Sequence, residues 1–178
     1  PPPVYVGFGS VVMRDAPALT ALVAEALERA GTRGVLATGW GGLSGDAVDR
    51  SERLAVVESA PHRWLFPRVA AVVHHGGPGT TTAGLQAGRP TIIVPTAVGD
   101  QRFWGGRVAA LGAGPAPIPR RRLTTARLAE AIRIATMDEG MRRRAEALGA
   151  RLRAEDGVGN AVAALAHHLE AEVWRWDG

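Results

Sequence analysis

The densest run of residues able to do chemistry is His74-His75-Gly76-Gly77-Pro78-Gly79-Thr80-Thr81-Thr82. It follows the apolar run Val69–Val73 and precedes a helical stretch, Gly79–Ala87. Glycines at such a point permit positive φ and let a ligand approach the backbone closely. The unpaired N–H groups of a helix start, carrying roughly half a positive charge, favour a phosphate. Thr80 and Thr81 can add hydroxyl donors, and His75 can add a ring N–H. The same residues would also make a tight strand-to-helix turn capped by threonine.

Four other clusters share this pattern of an apolar run ending in glycine or polar residues: Gly9-Ser10, Gly39-Trp40-Gly41-Gly42, Ser59-Ala60-Pro61-His62 and Gly99-Asp100-Gln101. A carboxylate beside a carboxamide, as at Asp100-Gln101, can clamp vicinal hydroxyls by accepting and donating at fixed spacing. Asp100 could equally cap the helix that starts at Gln101. His62 has two readings as well, a ligand contact or a cap packed against Trp64. His167 and His168 lie along the last predicted helix, far from these clusters, and read as structural.

Placing all five clusters together requires a particular scaffold. Apolar runs at Val4–Phe8, Val35–Thr38, Leu54–Val57, Val69–Val73 and Thr91–Val94 predict strands, with a short edge strand over Ala113–Pro117. Helical spacing predicts helices over Pro17–Ala30, Gly79–Ala87, Gln101–Leu111, Leu123–Ala135, Met141–Arg153 and Val158–Trp174, with a helical turn at Trp64–Phe66. Thr124 or Thr125 is expected to cap the helix after residue 123. Residues 39–53 read as a loop. Strands alternating with helices imply right-handed crossovers and a parallel sheet, and continuous apolar strands imply helices on both faces. The expected fold is α/β: a doubly wound, Rossmann-like sheet of about six strands, one domain spanning residues 1–178. In such sheets ligands bind beyond the carboxyl ends of the strands, where all five clusters fall.

Composition narrows the classes. The chain has 178 residues, 46% hydrophobic and 21% charged, which is globular composition. No apolar run approaches the ~20 residues of a membrane span. Pro1-Pro2-Pro3 leads straight into a strand-like stretch, so no signal peptide is expected and the residues read as a linker remnant. The absence of Cys excludes disulfides and thiolate metal sites, and the cytoplasm is the default compartment. All 21 cationic side chains are Arg, against 17 acidic ones, giving +4. That usage reads as a high-GC coding bias. Scattered basic residues and few aromatics give no footprint for nucleic acid. The Arg120–Arg122 and Arg142–Arg144 triplets read as solvated surface. No HxxxH, HxH or DxD arrangement suggests a metal. The first glycine turn lacks the dinucleotide fingerprint, and a chain without Lys cannot carry a GxxxxGK[ST] loop.

Four segments together carry a resemblance: Pro61-His62-Arg63-Trp64-Leu65-Phe66, Val72 through Thr81, Gly84-Leu85-Gln86-Ala87-Gly88-Arg89-Pro90-Thr91, and Gly99-Asp100-Gln101-Arg102-Phe103-Trp104. With the opening Val4-Tyr5-Val6-Gly7-Phe8-Gly9-Ser10, they resemble the nucleotide-sugar-binding, C-terminal half of family 1 glycosyltransferases. The likeness covers residues 4 to 135 and is closest to the sterol 3-β-glucosyltransferase-like branch, which bacteria also carry in natural-product pathways. The resemblance implies the GT-B fold and an inverting, metal-independent transfer from a UDP- or dTDP-sugar, with no cofactor. It implies that Ser10 contacts the diphosphate, and that Ser59, Ala60 and His62 hold the nucleobase, through backbone groups at Ala60. It assigns His75, Gly77, Gly79, Thr80 and Thr81 to the diphosphate, and Asp100 and Gln101 to the sugar.

The resemblance also implies what the chain lacks. The acceptor-binding domain, with the catalytic His base, belongs to the N-terminal half, on the same or a separate chain. No catalytic residue is therefore expected here, and the chain alone is expected not to transfer sugar to its small-molecule acceptor. The expected source is bacterial. Residues 158–178, with Trp174 and Trp176, are expected at the interface to that other half, where self-association is an open outcome. Three departures stand out: Ser59 replaces a Trp that stacks on the base, Ala83 replaces a Glu that binds ribose, and Pro78 removes one N–H from the phosphate loop. The alternatives are a natural stand-alone donor-binding subunit and a non-catalytic sugar-nucleotide-binding module.

Overall fold

The structure, a computed structural model, describes residues 1–45, 53–96 and 99–171. Trp174 and Trp176 lie outside the described residues. Among the described residues five parallel strands form one sheet: β1 (Val4–Gly7), β2 (Gly34–Ala37), β3 (Leu54–Val57), β4 (Ala71–His74) and β5 (Thr91–Ile93), in the order β3-β2-β1-β4-β5. β1 is central, with Val4 opposite Gly34 of β2 on one side and Ala71 of β4 on the other. Among the described residues the α-helices are α1 (Ala16–Arg29), α2 (His62–Leu65), α3 (Pro78–Gln86), α4 (Asp100–Ala110), α5 (Thr125–Met137), α6 (Glu139–Ala154) and α7 (Gly157–Ala171).

The alternation of side chains along β1 builds two cores. Val4 and Val6 face a large cluster with Leu19, Val23 and Leu27 of α1 and Leu128 and Ile132 of α5. Tyr5 points to the opposite face, among Leu65, Phe66 and Val72. A third cluster joins Leu85 of α3, Ile93 of β5, Val108 of α4 and Ala145 of α6. Burying apolar side chains on both faces is what a central parallel strand requires, at roughly 25 cal/mol per Å² removed from water.

The expected sixth strand does not form. Residues 113–118 run beside β5, where Thr91 N–H donates to Ala113 O and Ile118 N–H to Ile93 O, 3.0 and 2.9 Å. Pro115 and Pro117 lack the N–H groups a continuing ladder needs. Thr124, of the two candidates, caps α5 by accepting from Arg127 N–H. Asp138 accepts from Met141 N–H and starts α6 two residues earlier than the periodicity predicts.

Candidate functional site

The strand order reverses between β1 and β4, and the loops after these two strands meet there. A ligand crevice is expected at that switch point. Gly9, after β1, lies against His75, after β4: a Cβ on Gly9 would stand 3.3 Å from His75 Cε1. Ser10 is exposed beside it. α3 then starts at Pro78 with Gly77 as its N-cap. Proline at the first helical position loses only an N–H that would be unpaired anyway. The first helical hydrogen bond runs from Thr81 N–H to Gly77 O, 3.0 Å, which leaves the N–H groups of Gly79 and Thr80 open. Gly79 has nothing within 4 Å of where a Cβ would be.

The two adjacent histidines differ. His74 ends β4, is fully buried, and accepts from Gly76 N–H at Nδ1, 3.0 Å. That bond puts the proton of the neutral ring on Nε2, which is buried without a partner. Burial holds the ring neutral, pushing its pKa down to about 3, with the neighbouring histidines adding to the shift. His75 is half-buried, with Nε2 lying 2.6 Å from the Cβ position of Gly77. Burial lowers its pKa too, while the nearby Asp100 carboxylate opposes the shift.

The sequence candidates do not all face the rim. Thr81 is buried, and its hydroxyl donates to Gly77 O, 2.8 Å, so it serves the helix start. Thr80 is half-buried at the helix mouth. Gly99, not Asp100, is the N-cap of α4, so the capping reading of Asp100 falls. Asp100 is exposed in the first turn, where Oδ2 accepts from Trp104 Nε1, 3.3 Å. Gln101 Oε1 accepts from Thr96 N–H, 2.8 Å, fixing that side chain between the β5 loop and α4. His62 stacks on Phe66, with centroids 4.3 Å apart, and meets Tyr5 edge-on, so its ring partners are not Trp64. Pro61, not His62, is the N-cap of α2.

Ser59, Ala60 and His62 line a cavity of about 260 Å³ with Tyr5, Gly9, Gly39, Trp40 and Glu58. Sequence reasoning named Trp40 and His74 only within their clusters and missed Tyr5 as a site element. The signal for Tyr5 was the alternation along β1, which turns it away from Val4 and Val6. Among the described residues, no group of three or more His, Asp or Glu side chains is placed to hold a metal ion. Among them, too, no helix is long and apolar enough to cross a membrane.

A five-stranded doubly wound sheet with this loop cluster at its switch point is a Rossmann-like ligand-binding architecture. The glycosyltransferase VinC, solved in complex with dTDP, superposes with a TM-score of 0.78 at 24% identity, over 96% of this chain and 42% of its own. The family model of the Erythromycin biosynthesis protein CIII-like, C-terminal domain matches residues 47–170, and the chain belongs to that family. Sterol 3-beta-glucosyltransferase UGT80A2 of Arabidopsis thaliana is 46% identical over 94% of this chain and 26% of its own length. A sterol 3-beta-glucosyltransferase of Emericella nidulans is 44% identical over 94% of this chain and 12% of its own. The chain thus spans about a quarter or less of these two relatives. One is a plant protein and the other fungal, which gives the expectation of a bacterial source no support.

Proposed function

We propose that this chain is the donor-binding domain of an inverting, metal-independent glycosyltransferase using a UDP- or dTDP-sugar. The observation that carries the reading is the convergence of His75, the open N–H groups of Gly79 and Thr80, and Asp100 on the crevice between β1 and β4. The diphosphate would lie over the start of α3, held by those N–H groups, His75 Nε2 and Ser10. The nucleobase would enter the cavity at Ser59, Ala60 and His62. Asp100 and Gln101 would take the sugar hydroxyls.

In the reaction an acceptor oxygen attacks the anomeric carbon as the bond to the diphosphate breaks. The bonding pair leaves with the diphosphate. Fixed donors aimed at that growing charge contribute a few kcal/mol each, about the scale measured for oxyanion holes. The acceptor hydroxyl and the base that takes its proton belong to the acceptor domain, outside these residues. The exposed apolar stripe of α7, Val158, Val162 and Leu165, supports placing that helix against the same domain. A sterol-like acceptor is supported by the named relatives.

The test is calorimetric titration of the chain with UDP, dTDP, UDP-glucose and NAD, without metal and with magnesium. UDP or dTDP should bind equally well in both, and NAD should not bind. His75→Ala should weaken the binding by more than about 1 kcal/mol, the loss of one hydrogen bond to a charged group. A wild-type chain that binds no nucleotide, or an unchanged affinity in the variant, would overturn the assignment of this crevice.

A further inference from the structure

The cavity lined by Ser59, Ala60 and His62 has three aromatic rings around it, and two are already occupied. His62 is stacked on Phe66, and Tyr5 packs edge-on against both, with centroids 5.0 Å from Phe66 and 5.8 Å from His62. The third ring is Trp40, which is 78% exposed. Among the described residues, no other ring or guanidinium stacks on it. Ser59, on the same rim, offers no ring face at all.

An exposed indole is ordinarily a mobile one, but this one stands on a fixed backbone. Trp40 N–H donates to Gly9 O at 3.3 Å, and Gly39 N–H donates to Glu58 O at 3.0 Å. The next two N–H groups, of Gly41 and Gly42, both return to Thr38 O, at 3.2 and 3.1 Å, and Gly41 O accepts from Met13 N–H. Gly39 is indispensable to this arrangement: its φ is +55°, and a Cβ there would lie 2.4 Å from Gly9 O. The loop is therefore bound to the β1 loop on one side and the β3 loop on the other. A ligand that covers the indole gains a large apolar face with little backbone left to order.

We propose that Trp40 is the stacking platform for the donor's nucleobase, fixing the base over the cavity while the diphosphate reaches the start of α3. The inference rests on the proposed donor-binding role. Base–indole stacking tolerates any planar base, so it supplies affinity rather than a choice between uracil and thymine. The cavity floor adds polarity, because the Tyr5 phenol, pushed up to about 12 by burial, stays protonated and able to donate.

The experiment titrates the full chain, wild type, Trp40→Ala and Trp40→Phe, with UDP, dTDP and pyrophosphate, following heat and tryptophan fluorescence. The expected result is that Trp40→Ala loses roughly five- to a hundredfold in affinity for both nucleotides, the range of one base–aromatic stack. Pyrophosphate binding should be unchanged, and Trp40→Phe should recover most of the loss. Nucleotide should quench the wild-type fluorescence but not that of Trp40→Phe. If Trp40→Ala binds UDP and dTDP as tightly as the wild type, Trp40 is not the platform and the donor-binding role stands. If the variant loses pyrophosphate as strongly as nucleotide, its effect is on the loop and the stacking role is overturned. If the wild type binds none of the three, the donor-binding reading fails and takes this inference with it.

Discussion

A fully buried imidazole that keeps one bond and leaves one N–H orphaned is a group the fold holds at a cost. His74 contributes its Nδ1 to the turn that aims His75, while Nε2–H meets no acceptor. An unpaired buried donor costs about 1–3 kcal/mol. Charging that ring would cost far more, and this makes stability depend on pH. Above the ordinary value of 6.5 both folded and unfolded chains leave the ring neutral. Below it the unfolded chain takes up a proton that the folded chain refuses until pH falls to about 3. The contribution is thus complete above pH 6.5 and declines as pH drops, by up to about 1.4 kcal/mol per unit. Urea unfolding at pH 7, 6 and 5 should show this decline in the wild type. His74→Asn retains an acceptor for Gly76 N–H and should lower stability at pH 7, but with a shallower pH dependence. An equally steep decline in the variant would mean that His74 titrates normally. Sequence alone could mark the pair of histidines but not divide their roles. The division follows from the pleat of β4, whose last residue is buried while the next one leaves the sheet.

At the scale of elements, the turn proposed to hold the diphosphate brings β4, β5 and α4 together. Gly76 has φ +98°, and a Cβ there would lie 2.8 Å from Ile93 Cγ2 and 3.0 Å from Gln101 O. Neither neighbour yields easily: one is a buried β-branched methyl and the other is backbone. Gly76→Ala should therefore cost stability by about 1–3 kcal/mol, the range for a strained backbone position, and weaken UDP binding at the same time. Gly79→Ala offers the contrasting result. It sits inside the first turn of α3 with open space around its Cβ, so helix propensity should hold or raise the melting temperature. Its methyl would still enter the space proposed for the diphosphate and weaken UDP. Parallel losses of stability and binding in both variants would contradict this separation. The strands and helices were legible because the apolar runs and the 3.6 periodicity are strong. Helix ends were less so: α4 begins at Asp100 because Gly99 takes the N-cap conformation, which composition does not encode. The expected edge strand over Ala113–Pro117 does not form because Pro115 and Pro117 lack the N–H donors a ladder needs. Of the two readings open for Thr81, its hydroxyl takes the one within the turn, donating to Gly77 O, a bond decided by geometry within one turn.

For the whole molecule, the decisive contrast is between a body with three apolar clusters and a helix outside them. Among the described residues, none of the three apolar clusters includes a residue of α7. Residues 157–168 are exposed throughout, including Val158, Val162 and Leu165 at one-turn and two-turn spacing along one side. A helix of 15 residues without tertiary packing is marginal in water, since propagation barely offsets nucleation. An amphipathic stripe of this kind gains its stability from whatever surface covers it. Two consequences follow for the isolated chain. Ending it at Asp156 should leave the unfolding free energy within about 0.5 kcal/mol of the full-length value, as for changes at exposed positions away from packing. Backbone amides of residues 160–168 should exchange with deuterium far faster than those of β1 and β4, which open only with the whole domain. Slow exchange in α7, or a marked loss of stability on truncation, would show that its apolar side is covered in solution, by the body or by a second copy. Sedimentation of the same sample separates those two covers: a monomer with a protected α7 means the helix folds back, and a dimer means that two stripes meet.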